Sequence, residues 1–318
     1  MKRGWPVGAL LLGAATVIAA CGGGSGAGQP PAGVPVLSGA VKIDGSSTVF
    51  PISEAMAEEF GKKHTDVKVT VGISGTGGGF KKLCNNETDI SDASRPIKDA
   101  EKAECEKNGV AYTELQIAID GLSVVVNPQA TWVDCLTTAE LKKVWDTGSA
   151  VKNWKDIRAG FPDVELKLYG AGSDSGTFDY FTEAINGKEK QTRADYTASE
   201  DDNTLVQGVA GNRGAMGYFG YAYYVENKSK LKVLKVDAGK GAGCVEPNDS
   251  TINSYTYAPL SRPIFIYPKN AALQRPEVME FVRFYLDPAN RTLIKEVGYI
   301  PAPDKIYSDG LAKLGAAR

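Results

Sequence analysis

The chain has 318 residues, 42% of them hydrophobic and 23% charged, with a formal net charge of −2, the balance of a globular chain with a core rather than of a disordered one. Its 36 basic and 38 acidic residues nearly cancel and form no basic stripe, which argues against a nucleic-acid partner. A single histidine removes most two-histidine metal sites and weakens any Ser–His or Cys–His mechanism.

Lys2 and Arg3 precede an apolar stretch, Val7 to Ala20, and Ile18-Ala19-Ala20 stand immediately before Cys21. The segment resembles a bacterial lipoprotein signal. Residues 1–20 would be removed and Cys21 would receive lipid, leaving a mature chain anchored to a membrane and facing the periplasm or the cell surface. Residues 22–39, GGGSGAGQPPAGVPVLSG, have the composition of a flexible tether, so 21–39 reads as anchor and linker. No later run is apolar for the 18 or more positions that a spanning helix needs. Four cysteines remain, Cys84, Cys105, Cys135 and Cys244. In an exported chain an even number favours disulfides, here two, with three possible connectivities. Pairing Cys84 with Cys105 and Cys135 with Cys244 keeps each bond within one lobe of the architecture below.

From residue 40, β-rich runs alternate with helical ones: 41–44 then 52–63, 67–73 then 78–85, 90–93 then 99–108. Such alternation predicts parallel strands covered by helices. Strand-like 112–120 and 122–127 follow. A second α/β lobe fits helices at 138–145, 176–186 and 218–227 with strands at 166–169 and 231–236. Strand 262–267 and helices 276–286 and 290–297 then return to the first lobe. The expected division is lobe 1 from 40–119 and 254–318 and lobe 2 from 120–253, with closure about the crossings near 119–122 and 253–260.

Ligands of open α/β sheets sit beyond the carboxyl ends of strands. Three glycine and hydroxyl loops occupy such places: Gly45-Ser46-Ser47-Thr48-Val49-Phe50, Ser74-Gly75-Thr76-Gly77-Gly78-Gly79 and Gly172-Ser173-Asp174-Ser175-Gly176-Thr177. Each follows a strand and precedes a helix. Helix N-termini present unpaired N–H groups and about half a positive charge, so three converging on one cleft suit a tetrahedral oxyanion. Ser94 and Arg95, in Asp89-Ile90-Ser91-Asp92-Ala93-Ser94-Arg95-Pro96, add a hydroxyl and a planar fork of donors. No dinucleotide or P-loop glycine pattern occurs. A secreted hydrolase with Ser47 or Ser175 as nucleophile is the competing class, opposed by the unpromising setting of His64 and the absence of G-x-S-x-G.

The segments GSSTVFP at 45–51, SGTGGGFKK at 74–82, DISDASRPIK at 89–98 and YGAGSDSGTFDYF at 169–181 resemble the PstS family of phosphate-binding proteins, and 203–224 with LSRPIFIYPK at 260–269 resemble its SphX-like subgroup. The resemblance implies a two-lobed periplasmic-binding fold of type II, each lobe a mixed, mostly parallel sheet flanked by helices, with the ligand cleft between them. It implies a non-enzymatic, monomeric receptor, without cofactor or metal, that binds inorganic phosphate and delivers it to the permease of an ABC importer in the inner membrane. By position, the site would comprise Ser47, Thr48, the amides of Val49 and Phe50, Thr76, Gly77, Ser94, Ser175, Gly176 and Thr177. The family carries Asp where this chain has Ser94 and Arg where it has Ala171. Arg95 is then expected to supply the guanidinium, and Asp92, Asp120 or Asp174 the acceptor that tells protonated phosphate from sulfate. Another tetrahedral oxyanion such as sulfate or molybdate, or a phosphate-sensing lipoprotein without a transporter, remains the alternative.

Overall fold

The computed structural model describes residues 37–173 and 175–316. The lipidation site Cys21, the signal, most of the tether and Asp174 lie outside them. The chain begins with β1 (Gly39–Gly45), α1 (Phe50–Lys63), β2 (Val67–Ile73), α2 (Gly75–Cys84), β3 (Ile90–Ala93) and α3 (Asp99–Lys107), then enters the long β4 (Leu115–Val126). Next come β5 (Cys135–Thr137), α4 (Thr138–Trp145), α5 (Trp154–Ile157), β6 (Lys167–Ala171), α6 (Gly176–Phe181), β7 (Thr197–Ser199), α7 (Asp202–Ala210), β8 (Ala215–Gly220) and α8 (Tyr221–Glu226). Short β9 (Lys232–Val233), β10 (Lys235–Asp237) and β11 (Cys244–Val245) lead through α9 (Asp249–Asn253) to β12 (Ser261–Pro268). α10 (Pro276–Leu286), α11 (Arg291–Glu296), β13 (Ile300–Pro301) and α12 (Asp304–Ala316) complete the chain.

The main sheet has the order β2-β1-β3-β12-β4-β8-β6-β7, and a small sheet has the order β11-β10-β5. Its mixed character comes from the middle: β1 runs parallel to β2 and β3, β6 to β7 and β8, while β12 and β4 are antiparallel to their neighbours. One core draws on Val41 to Ala118 and Ile264 to Leu314, the other on Ile119 to Leu260. β4 passes from one to the other, pairing with β12 over its first part and with β8 over its last.

Local chemistry explains the elements. In α1, Ile52, Met56 and Phe60 fall four residues apart and are fully buried, Pro51 occupies the first turn, and Lys62 and Lys63 close the C-terminus, a one-faced helix with charges suited to its dipole. Thr137 and Glu140 form a capping box at the start of α4. Gly79 is required by packing: a Cβ there would lie 2.6 Å from the Gly45 Cα, so α2 rests directly on β1.

Four sequence readings change. The runs 112–120 and 122–127 are one strand that continues through Gly121. Residues 218–220 belong to β8, whose six residues are all buried; a short run apolar on both faces carries no period that separates strand from helix. The glycines at 75–79 lie inside α2, and only Ser74 remains of the expected loop. His64 is half-buried, its ring 4.4 Å from that of Phe60, where a solvent-exposed position was expected.

Trp132, Trp145 and Trp154 pack in the second core as expected; there Phe181 and Tyr218 stack at 3.7 Å against Trp145. Both disulfides form with the expected pairing, Cys84–Cys105 between α2 and α3 and Cys135–Cys244 between β5 and β11. The second closes 109 residues against 21 for the first, and the longer loop constrains the unfolded chain more. Serine at both 135 and 244 is expected to lower the unfolding free energy in urea by about 2–5 kcal/mol, more than the same change at 84 and 105. Equal losses would contradict the loop-length account.

Candidate functional site

The site forms where β1, β3, β6 and β12 deliver their loops to the border between the two cores. β1 and β3 run in register, Gly45 beside Asp92, which sets the 46–50 turn next to the segment holding Ser94. Ser46 organises that turn: its Oγ accepts from the Thr48 amide at 3.2 Å and its carbonyl accepts from the amides of Val49 and Phe50. The Val49 and Phe50 amides, expected to be free, are therefore committed within the turn, and the wall presents the Ser47 and Thr48 hydroxyls instead. Thr76, in the uncapped first turn of α2, shares a 3.1 Å hydrogen bond between its Oγ1 and the Ser94 Oγ, and the Ser94 amide donates to it at 3.2 Å. The amides of the first turn have no helical acceptor, which leaves the Gly77 N–H available as expected.

From the second core, Ser175 caps α6 by accepting from the Thr177 amide at 3.2 Å. Gly176 lies flat against Thr48, whose Oγ1 donates to the Gly176 carbonyl at 3.2 Å. A Cβ at 176 would lie 2.4 Å from the Thr48 Cα, so only glycine permits this approach. Ser47 Oγ donates to Asp179 Oδ2 at 2.7 Å. The two cores thus touch directly at these loops.

The guanidinium at the centre is that of Arg262, which the loop-by-loop reading did not single out. The register of β12 on β4 sets Arg262 opposite Asp120. Its Nε donates to Asp120 Oδ2 at 3.3 Å, its Nη2 donates to Thr48 Oγ1 at 2.9 Å, and its Cζ lies 3.6 Å from the centre of the Tyr180 ring. Nη1 faces Glu183 Oε2 at 3.7 Å. Burial pushes the Asp120 carboxyl up and the adjacent guanidinium opposes that shift.

Arg95 stands at the rim in a bidentate pair with Glu101, 2.7 and 2.9 Å, and also donates to the Pro96 carbonyl. Burial pushes the Glu101 carboxyl up, but Arg95 and the Lys98 amide outweigh it and hold it below the usual carboxylate range. Arg95 borders a groove of about 570 Å³ with Thr76, Gly77, Glu183 and Lys190. Arg193, next in line for a ligand role by sequence, is buried in a pair with Asp195 and bonds to the Val144 and Val151 carbonyls. Asp92 is fully buried, bonded through Oδ2 to Ser53 Oγ, which in turn accepts from the Tyr285 hydroxyl. It faces the first core. No group of three or more potential metal ligands occurs among the described residues, and none of their helices is long and apolar enough to cross a membrane.

Residues 24–289 match the model of a PBP superfamily domain. The chain is 52% identical over 270 residues to the protein SphX of Synechococcus elongatus, covering 84% of this chain and 79% of that protein. It is 41% identical over 315 residues to the phosphate-binding protein PstS of Staphylococcus haemolyticus, covering 99% and 97%. The crystal structure of a possible phosphate binding protein from Planctomyces limnophilus superposes with a TM-score of 0.86 at 54% identity, over 88% of this chain and 99% of that one.

Burial, moderated by the Ser53 hydrogen bond and reinforced by the charge of Asp44, raises the Asp92 carboxyl from 3.8 to about 7. The folded state therefore holds a proton that the unfolded state releases, so this stabilisation is complete below about pH 4 and lost as pH rises to about 7. Asp92→Asn, which imitates the protonated group, is expected to flatten the fall in unfolding free energy between pH 5 and 8 by a few kcal/mol. An unchanged pH profile of urea unfolding would show that Asp92 is not a buried acid.

Proposed function

The chain belongs to the PBP superfamily, in the branch of the PstS and SphX proteins, and from that premise we propose that it is an extracytoplasmic receptor that binds inorganic phosphate between its lobes. The observation that carries the proposal is the bridge made by Arg262. A guanidinium held by Asp120 and stacked on Tyr180 reaches the Thr48 hydroxyl where Thr48 meets Gly176 of the opposite lobe. A buried fork of donors beside hydroxyls and first-turn amides suits a tetrahedral oxyanion. The proposed ligand groups are Ser47, Thr48, Thr76, Gly77, Ser94, Ser175, Gly176 and Thr177, with Arg262 in the central role and Arg95, oriented by Glu101, at the mouth.

In this reading lobe 1 comprises 40–119 and 254–318 and lobe 2 comprises 120–253. They open about β4 and the start of β12, and closure brings Gly176 onto Thr48. The signal-like residues 1–20, Cys21 and the tether support a lipid-anchored receptor at the outer face of a membrane, passing phosphate to the permease of an ABC importer. The names of the relatives describe binding proteins rather than enzymes. Ser94 and Ala171 support a second reading, a receptor for sulfate or molybdate.

Calorimetric titration with phosphate tests both. Tight binding of phosphate is expected, and Arg262→Ala is expected to weaken it by about 1.5–3 kcal/mol, the range of a charged hydrogen bond. Arg262→Lys should recover little, because lysine has neither the fork nor the planar face that lies on Tyr180. Preferential binding of sulfate or molybdate would favour the second reading, and undiminished affinity in Arg262→Ala would remove Arg262 from the site.

A further inference from the structure

Asp179 is a carboxylate whose place in the fold is not explained by packing. It lies in the first turn of α6, three residues beyond Gly176, and is 9% exposed. Its Oδ2 accepts from the Ser47 hydroxyl of the opposite lobe at 2.7 Å. Its Oδ1 is buried without a hydrogen-bond partner, and the Lys190 ammonium stands 3.9 Å away. A buried acceptor left unpaired is costly. Here the orphaned oxygen lies at the meeting of the two lobes, beside the hydroxyl loop that Arg262 also contacts.

On the reading of the cleft as a phosphate site, we infer that Asp179 is its specificity-determining acceptor, with Oδ1 receiving the hydrogen bond that a protonated oxyanion donates. Phosphate and arsenate keep a proton near neutral pH and sulfate does not. Phosphate therefore satisfies the orphaned oxygen, whereas sulfate would bring a second bare anion against it, and rejection arises from that repulsion. The other carboxylates are already committed. Asp120 holds Arg262, and Asp92 faces the Ser53–Tyr285 pair in the first core. Ser94, where the resemblance leads one to expect aspartate, is bonded to Thr76. The acceptor has moved across the cleft, from the first lobe to the second. Tyr218, whose buried hydroxyl also lacks a partner, is close enough to feel the Asp179 charge, and Glu183 and Glu189 carry further negative charge on the same side.

The test is calorimetric titration of the purified full chain and its variants with phosphate, arsenate and sulfate at about pH 7.5. The unmodified protein is expected to bind phosphate and arsenate at least ~100-fold more tightly than sulfate, and Asp179→Asn, whose amide donates, to reduce that ratio below ~10-fold. Asp179→Ser, smaller and without charge, should reduce it too, which guards against an Asn variant that folds poorly. Monofluorophosphate, shaped like phosphate but without its proton at this pH, should bind the unmodified protein as weakly as sulfate. An unchanged ratio in both variants, or a ratio that collapses in Asp92→Asn or Asp120→Asn instead, overturns the inference. Equal binding of phosphate and sulfate by the unmodified protein overturns it while leaving the phosphate site standing. No phosphate binding at all removes that site and the inference with it.

Discussion

The arrangement depends on where one guanidinium is held. Arg262 lies on a strand that crosses between the two cores, its Nε on Asp120 of the neighbouring crossing strand and its face on Tyr180. Burying a cation is costly unless it is paired and hydrogen-bonded. Asp120, Thr48 and the Tyr180 ring meet that condition from three directions. Because those partners come from β4, from the turn before α1 and from α6, satisfying the charge also brings three separate elements together. The Tyr180 hydroxyl, donating to the Pro259 carbonyl at 2.6 Å, fixes the platform on which the guanidinium rests.

The remaining features follow from the shared sheet. β4 belongs to both cores, so a change in its twist would move one lobe against the other without breaking either. The loops that meet the guanidinium have rigid supports: α2 rests on β1 through Gly79 and is tied to α3 by Cys84–Cys105, and α3 supplies the Glu101 that orients Arg95. The contact of Gly176 with Thr48 is then the point at which two separately braced pieces meet.

The first half of the fold was legible because each strand and helix in it announces itself locally. α1 has its apolar stripe and proline, β2 its β-branched run, and α3 its acidic first turn. Residues 215–220 were not, since a strand buried on both faces loses the alternation that marks strands. The three hydroxyl loops were legible as places where strands give way to helices, yet their hydrogen bonds were not. That Ser46 takes up the Val49 and Phe50 amides depends on the turn closing as one turn of helix. Arg262 was quoted within a recognisable strand but given no role, because its role comes from a pairing 142 positions away in sequence. Nothing beside it in the chain marks it. Asp179 likewise reads as an ordinary helix-start carboxylate until Ser47 of the other lobe is placed against it.

The most direct measurement is a crystal structure of the protein grown with phosphate. The account predicts a tetrahedral anion between the starts of α1, α2 and α6, within hydrogen-bonding distance of the Arg262 guanidinium and the Thr48 hydroxyl, with the lobes in contact at Gly176. An anion bound away from Arg262, or a cleft that stays empty and open in saturating phosphate, would contradict it.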